Sequence, residues 1–283
     1  MNYQTLISAA ELSDQIDNPD LAILDCRFSL AEPEWGRQEH LKAHISGAVF
    51  ADLDRDLSGP KIPGVTGRHP IPTIEFAAEK FSQWGIDDSA QVICYDSVGG
   101  ALAAVRAWWM LRWLGHDAVA VLDGGWQKWL ESSQPVCNGF QESPVRHFVA
   151  RPRPELLAST ADVERLHMDP QTFLLDARTA DRYHGENETI DPVAGHIPGA
   201  ISAPYFDNMQ PDLTFRSPAE LRAHYQEILG GAPAESAIAY CGSGVTSIHD
   251  ILAMQIAGLG EGRLYAGSWS EWITDPRRPI ARD

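Results

Sequence analysis

Short apolar runs bounded by polar or turn-forming residues recur along the chain. Leu21–Cys26 (LAILDC), Val92–Asp96 (VICYD), Phe173–Ala177 (FLLDA) and Ala237–Tyr240 (AIAY) are apolar at nearly every position. A strand buried on both faces has that pattern, whereas a half-exposed strand alternates. Segments of helical spacing separate the runs. Trp108, Trp109 and Trp113 fall on one buried helical face, and Ile248 to Ala257 is apolar-periodic. Each half of the chain reads strand, loop, short strand, helix, strand, loop, helix, strand, helix. That alternation predicts an α/β fold with a mainly parallel sheet flanked by helices.

The landmarks occur twice, in one order. Asp25 at the end of LAILDC answers to Asp176, 151 residues on. His44-Ile-Ser-Gly-Ala48 answers to His196-Ile-Pro-Gly-Ala200 at 152. Asp96 answers to Cys241 at 145, and Gly124-Gly-Trp126 with Trp129 answers to Gly267-Ser-Trp269 with Trp272 at 143. Four ordered matches indicate a duplicated domain. Between Glu131 and Glu155, Pro135, Pro144, Pro152 and Pro154 interrupt a stretch of little periodicity, which predicts an extended linker. The expected division is 1–138, a linker over 139–155, and 156–283.

The chemistry concentrates after the Ala237–Tyr240 strand, in Cys241-Gly-Ser-Gly-Val-Thr246. Strand, tight loop and helix follow one another there. Helix N-termini leave N–H groups unpaired at the positive end of the dipole. Gly242 and Gly244 allow further N–H groups to turn inward, since glycine tolerates the conformations needed. A sulfur at the centre of such a ring is expected to be held as the nucleophilic thiolate. The bland alternative is a small buried cysteine at a strand end. In the first half Asp96-Ser-Val-Gly-Gly100 keeps the loop's shape without a thiol, so that half is expected to be catalytically silent.

Charge and composition narrow the partners. The 283 residues carry a net charge of −17, which argues against nucleic acid or an anionic membrane. An anionic substrate then needs a local basic pocket. No apolar stretch approaches the ~18 residues of a membrane span, and Met1–Leu6 lacks the basic start of a signal peptide. Cys26, Cys94, Cys137 and Cys241 form no CxxC. Neither a disulfide framework nor a zinc site is expected, and a reducing cytoplasm is the default. Asp52-x-Asp54-x-Asp56 begins like a calcium loop but has Leu57 and Pro63 where glycine and glutamate belong. His40 and His44 stand four apart, but His196 repeats His44 beside a turn, so a structural role is expected. No P-loop, dinucleotide fingerprint or HExxH is present, and no cofactor is expected.

These landmarks together resemble a two-domain rhodanese-type sulfurtransferase, closest to the 3-mercaptopyruvate and thiosulfate enzymes. The resemblance rests on the tandem DCR and DAR strands, on HISGA and HIPGA, on the GGW-type turns, and on Cys-Gly-Ser-Gly-Val-Thr in the second half alone. It implies that Cys241 takes a sulfur from a donor, carries it as a persulfide and passes it to an acceptor. That acceptor would be a small thiol, a thioredoxin-like protein or cyanide. Thiosulfate enzymes typically carry basic residues in this loop, whereas mercaptopyruvate enzymes carry the neutral sequence found here. The expected donor is therefore 3-mercaptopyruvate, with thiosulfate as the alternative.

The resemblance also assigns roles around the loop. Gly242, Gly244, Val245 and Thr246 would line the substrate site. Ser243 would polarise Cys241 or the donor's carbonyl. Arg182 would bind the donor's carboxylate, and a second arginine is expected in Glu188-Thr-Ile-Asp191, which contains none. Arg178 is expected to be structural, because Arg27 repeats it in the silent half. Asp54 and His69 would face the loop from the segment after the first HISGA, with Arg68 as another source of positive charge. Two rival classes fit the residues less well. A cysteine phosphatase needs arginine six residues after its cysteine, where Ser247 stands. A regulatory rhodanese-like module often loses the cysteine that this chain retains.

Overall fold

The computed structural model describes residues 2–282. The chain divides into two compact units, one comprising 1–59, 72–153 and 211–215, the other 60–71, 154–210 and 216–283.

In chain order the first unit contains β1 (Leu6–Ile7), α1 (Ala9–Asp14), β2 (Leu21–Asp25), α2 (Trp35–Lys42), β3 (His44–Ile45), β4 (Ala48–Phe50), α3 (Ile74–Gln83), β5 (Gln91–Tyr95), α4 (Ala103–Trp113), β6 (Val119–Leu122), α5 (Gly125–Glu131) and β7 (Val136–Cys137). The second contains β8 (Leu157–Ala158), α6 (Thr160–Leu166), β9 (Phe173–Asp176), α7 (Ala180–Tyr183), β10 (Ile201–Ser202), α8 (Pro218–Ile228), β11 (Ala237–Tyr240), α9 (Ile248–Ile256), β12 (Arg263–Tyr265) and α10 (Ser268–Trp272).

Each unit is built on one five-stranded sheet, in the order β1-β6-β5-β2-β4 and, read from the corresponding edge, β8-β12-β11-β9-β10. Every pair in both sheets is parallel. The central strands are the continuous apolar runs of the sequence, as a sheet covered by helices on both faces requires. Tyr95 and Tyr240 repeat one device: each phenolic oxygen accepts from the backbone of the HI turn, at Ile45 and Ile197 respectively. Trp108, Trp109, Trp129, Trp269 and Trp272 are fully buried.

Two features escape the hydrophobic pattern. Each half begins one strand and one helix earlier than expected, because the edge strands β1 and β8 are two residues long and show no periodicity. The helices that follow are fixed by capping boxes, Ser8 with Glu11 and Ser159 with Asp162. Likewise α2 occupies a stretch expected to be loop. Cys137 lies in β7, paired with His44, rather than in the linker. The proline-rich stretch beyond it is extended and tied to the first unit: Phe148 is buried, and Arg146 and Arg151 pair with Asp20 and Asp88. Among the described residues no helix is long and apolar enough to cross a membrane.

Candidate active site

The C-terminal end of β11 delivers Cys241 into a tight turn. Its backbone N–H donates to Ser268 Oγ at 3.1 Å, and that hydroxyl donates to Tyr265 O at 2.9 Å. The carbonyls of Cys241 and Gly242 accept from the N–H groups of Trp269 (3.0 Å) and Ser270 (2.9 Å). The turn is thus pinned to the start of α10, and Cys241 is only 3% exposed. The two glycines are needed for different reasons. Gly244 has φ +75°, and a Cβ there would lie 2.1 Å from Ala266 O. Gly242 has no left-handed backbone, contrary to the sequence expectation. A Cβ there would stand 2.6 Å from Arg68 Nη2, so a larger residue would displace that guanidinium.

The duplicate of this turn shows what it can hold. In the first unit Asp96 Oδ1 accepts from the N–H groups of Val98 and Gly100, each at 2.9 Å. Its Oδ2 accepts from Leu102 (2.9 Å) and Ala104 (3.3 Å). Burial pushes this carboxyl above its usual value, and the four N–H groups work against that push. The turn is therefore an anion cradle filled by its own side chain. At the repeat offset of 145, the matching positions in the second unit are Ser243, Val245, Ser247 and His249, and a thiol replaces the acid.

Residues 60–71 belong to the second unit and bring two side chains to the loop. Buried His69 places Nδ1 2.9 Å from Ser243 Oγ. Arg68 is held by its own N–H on Ser270 Oγ (3.0 Å). With Nη2 of Arg68 beside Gly242, the nitrogens of Arg182 stand 3.5 and 3.7 Å from the same Cβ position. Two guanidinium groups thus overhang the residue next to the cysteine. Both are engaged by acids: Asp191 Oδ1 by Arg68 Nη1, Asp191 Oδ2 by Arg182 Nη2 (3.1 Å), and Glu188 by Arg182 Nε and Nη2 (3.0 Å each). Burial raises the Asp191 carboxyl above its ordinary value, with Arg68 pulling it down. Burial acts upward on Glu188 too. There the N–H groups of Asp191 and Ile190 and the Arg182 guanidinium outweigh it, and the carboxyl is held low.

Arg178 does something else. Its guanidinium forks onto Asp176 (2.6 to 3.1 Å), reaches Gly195 O (2.7 Å) and lies over Trp269. Arg27 repeats each contact with Asp25, Ala43 O and Trp126. Both pairs are buried. His40 adds a hydrogen bond to Asp25 (2.9 Å), and His44 and His196 hold backbone carbonyls. These side chains tie the end of a central strand to the HI turn.

Of the residues singled out from the sequence, Cys241, Gly242, Ser243, Gly244, Val245, Thr246, Arg182 and His69 all lie in the second unit. Asp54 lies in the first, exposed, on a turn whose N–H bonds Asp52 Oδ1 at 2.9 Å. Glu188 and Asp191 were missed as site residues. The signal was present, since two acids stand where a second arginine was sought.

The Rhodanese-like domain profile matches residues 8–132 and again 159–275. The chain is 46% identical to a Pseudomonas aeruginosa protein named "Probable 3-mercaptopyruvate sulfurtransferase", over 99% of each chain. It is 37% identical to the SseB protein of Mycobacterium tuberculosis, which carries the name of a thiosulfate sulfurtransferase, over 99% of this chain and 97% of that one. Its structure is similar to that of 3-mercaptopyruvate sulfurtransferase from Leishmania major, with a TM-score of 0.87, 31% identity, and coverage of 99% of this chain and 76% of that one. With a duplicated parallel sheet, a cysteine on the loop after the central strand of the second copy, and these relatives, the chain belongs to the rhodanese family, among its tandem-domain sulfurtransferases.

Proposed function

We propose that this chain moves a sulfane sulfur from 3-mercaptopyruvate to a thiol or cyanide through a persulfide on Cys241. The observation that carries the proposal is the grouping of Cys241 with the Ser243–His69 hydrogen bond and the two guanidiniums over Gly242. A 2-keto acid with one carboxylate matches those groups in kind. Its carboxylate suits the forks of Arg68 and Arg182, and its ketone oxygen suits the Ser243 hydroxyl.

Cys241 attacks the donor's sulfur as thiolate. The S–S bond forms as the donor's C–S bond breaks, and the electron pair leaves on carbon as the enolate of pyruvate. Ser243 donates to the enolate oxygen, which gains charge in the transition state. His69, bonded to Ser243, orients that hydroxyl and stands ready to move the proton that converts enolate to pyruvate. An acceptor thiolate then attacks the outer sulfur and releases Cys241 as thiolate. The first repeat (1–138) is read as silent, because its own Asp96 fills the cradle. The second (156–283), joined by Arg68 and His69 of the segment 60–71, carries the chemistry, and 139–155 connects the repeats. The four cysteines are all free, which supports a reducing, cytoplasmic setting.

Parallel steady-state kinetics with 3-mercaptopyruvate and thiosulfate test the donor. A higher kcat/KM for 3-mercaptopyruvate is expected. Preference for thiosulfate at equal pH and ionic strength would transfer the assignment to the second donor.

A further inference from the structure

We infer that Asp191 is a resident competitor for the donor's carboxylate, and that it sets donor affinity and selects a singly charged donor over a doubly charged one. The inference rests on the functional reading above, in which Arg68 and Arg182 receive the donor. Two guanidiniums held together in a half-buried spot repel each other and need a counter-charge. In this chain that charge is built in. Asp191 spans the pair, with Oδ1 on Arg68 and Oδ2 on Arg182 at 3.1 Å, and is itself buried. Its backbone N–H is fixed by Glu188 Oε1 at 2.9 Å, which anchors the main chain from which the carboxylate reaches the two guanidiniums.

Counting the charges sharpens the point. Arg68 and Arg182 are offset by Asp191 and Glu188, and Arg178 by Asp176. The clamp is formally neutral before any donor arrives. Arg68 Nη1 is occupied by Asp191, while Nη2 faces Gly242. A donor carboxylate can thus take the nitrogens directed at the loop, but it does so beside a fixed negative charge. A monoanion meets that repulsion once and a dianion twice. Selection against thiosulfate then comes from Asp191 as well as from the lack of basic residues in the loop.

The test is Asp191→Asn, with Asp191→Ser as a second way to remove the charge and Asp191→Glu to keep it. KM for 3-mercaptopyruvate should fall roughly three- to tenfold in Asp191→Asn, and KM for thiosulfate by roughly the square of that factor. The kcat values should move less than KM, and Asp191→Glu should keep the wild-type ratio between donors. A merely structural role would leave that ratio unchanged. Unchanged or raised KM for both donors in folded Asp191→Asn or Asp191→Ser protein overturns the inference. So does a donor ratio in Asp191→Glu that shifts as it does in Asp191→Asn. If the wild type turns over neither donor, the functional reading fails. Binding of thiosulfate and pyruvate to Cys241→Ser protein then decides the inference separately. Tighter binding after adding Asp191→Asn supports it, and equal or weaker binding overturns it.

Discussion

Arg178 and Arg182 are four residues apart and both reach Glu188, but Arg178 is forked onto Asp176 while Arg182 overhangs Gly242, so paired alanine variants give opposite outcomes. Arg178→Ala leaves Asp176, fully buried at the end of β9, without its fork, since the Arg178 side chain is 1% exposed and supplies bonds of 2.6 to 3.1 Å. Breaking a buried pair from one side costs about 3–5 kcal/mol. Loss of the bond to Gly195 O and of the stacking on Trp269 adds to that cost. For a unit of this size each kcal/mol lowers Tm by roughly 3–4 °C, so a drop of about 10–20 °C is expected. Arg182 is different. Its guanidinium overhangs Gly242 and is engaged by Glu188 and Asp191 beside the loop. Arg182→Ala removes a charge-assisted contact to the donor, worth about 1.5–3 kcal/mol, or roughly ten- to a hundredfold in KM. Differential scanning calorimetry and steady-state kinetics on both variants give the answer. Arg27→Ala serves as a control, because it cuts the same device in the first unit and should lower stability without touching donor KM. A normal Tm with a raised KM in Arg178→Ala, or a collapsed Tm with normal KM in Arg182→Ala, would refute the assignment of both residues.

Two further outcomes follow. Cys241→Ser should fold normally and form no persulfide, since a hydroxyl fits the turn but cannot carry sulfur. Mass spectrometry after donor treatment should show the added sulfur on the wild type and none on the variant, and appreciable thiocyanate formation by the variant would sink the mechanism. Stability should also fall as pH rises from about 6.5 to 8. Burial pushes the Asp250 carboxyl up to about 8, and burial pushes the neighbouring His249 imidazole down to about 3. Below about 6.5 the two effects oppose: the unfolded chain takes up a proton on histidine, while the folded chain keeps one on Asp250. Above that pH only the Asp250 contribution remains, and the folded state loses its advantage as Asp250 nears its pKa. Urea unfolding of Asp250→Asn at several pH values should lack that decline, and a decline of equal slope in the variant would rule out Asp250 as its source.

Much of this protein is legible along the chain because its cues are local. Continuous apolar runs name the strands of a parallel sheet, since only burial on both faces permits them. Duplicated landmarks name two domains, and the Asp96-to-Cys241 exchange distinguishes the copy that carries a thiol from the one that does not. Glycine at 244 is legible too, because its left-handed turn is a property of that residue's own backbone. What the tertiary structure alone decided depends on atoms brought together from distant positions. The partner of Ser243 is a histidine 174 residues away. The second guanidinium over the loop is Arg68, supplied by a segment that belongs by sequence to the first half and packs with the second. Gly242 leaves room for that guanidinium, which stands 2.6 Å from where a Cβ would lie. The acids at 188 and 191 look like the loss of an arginine when read in order. In space they are the counter-charges that make a two-arginine clamp possible, because close cations in a partly dry pocket need neutralising whichever stretch of chain provides the charge.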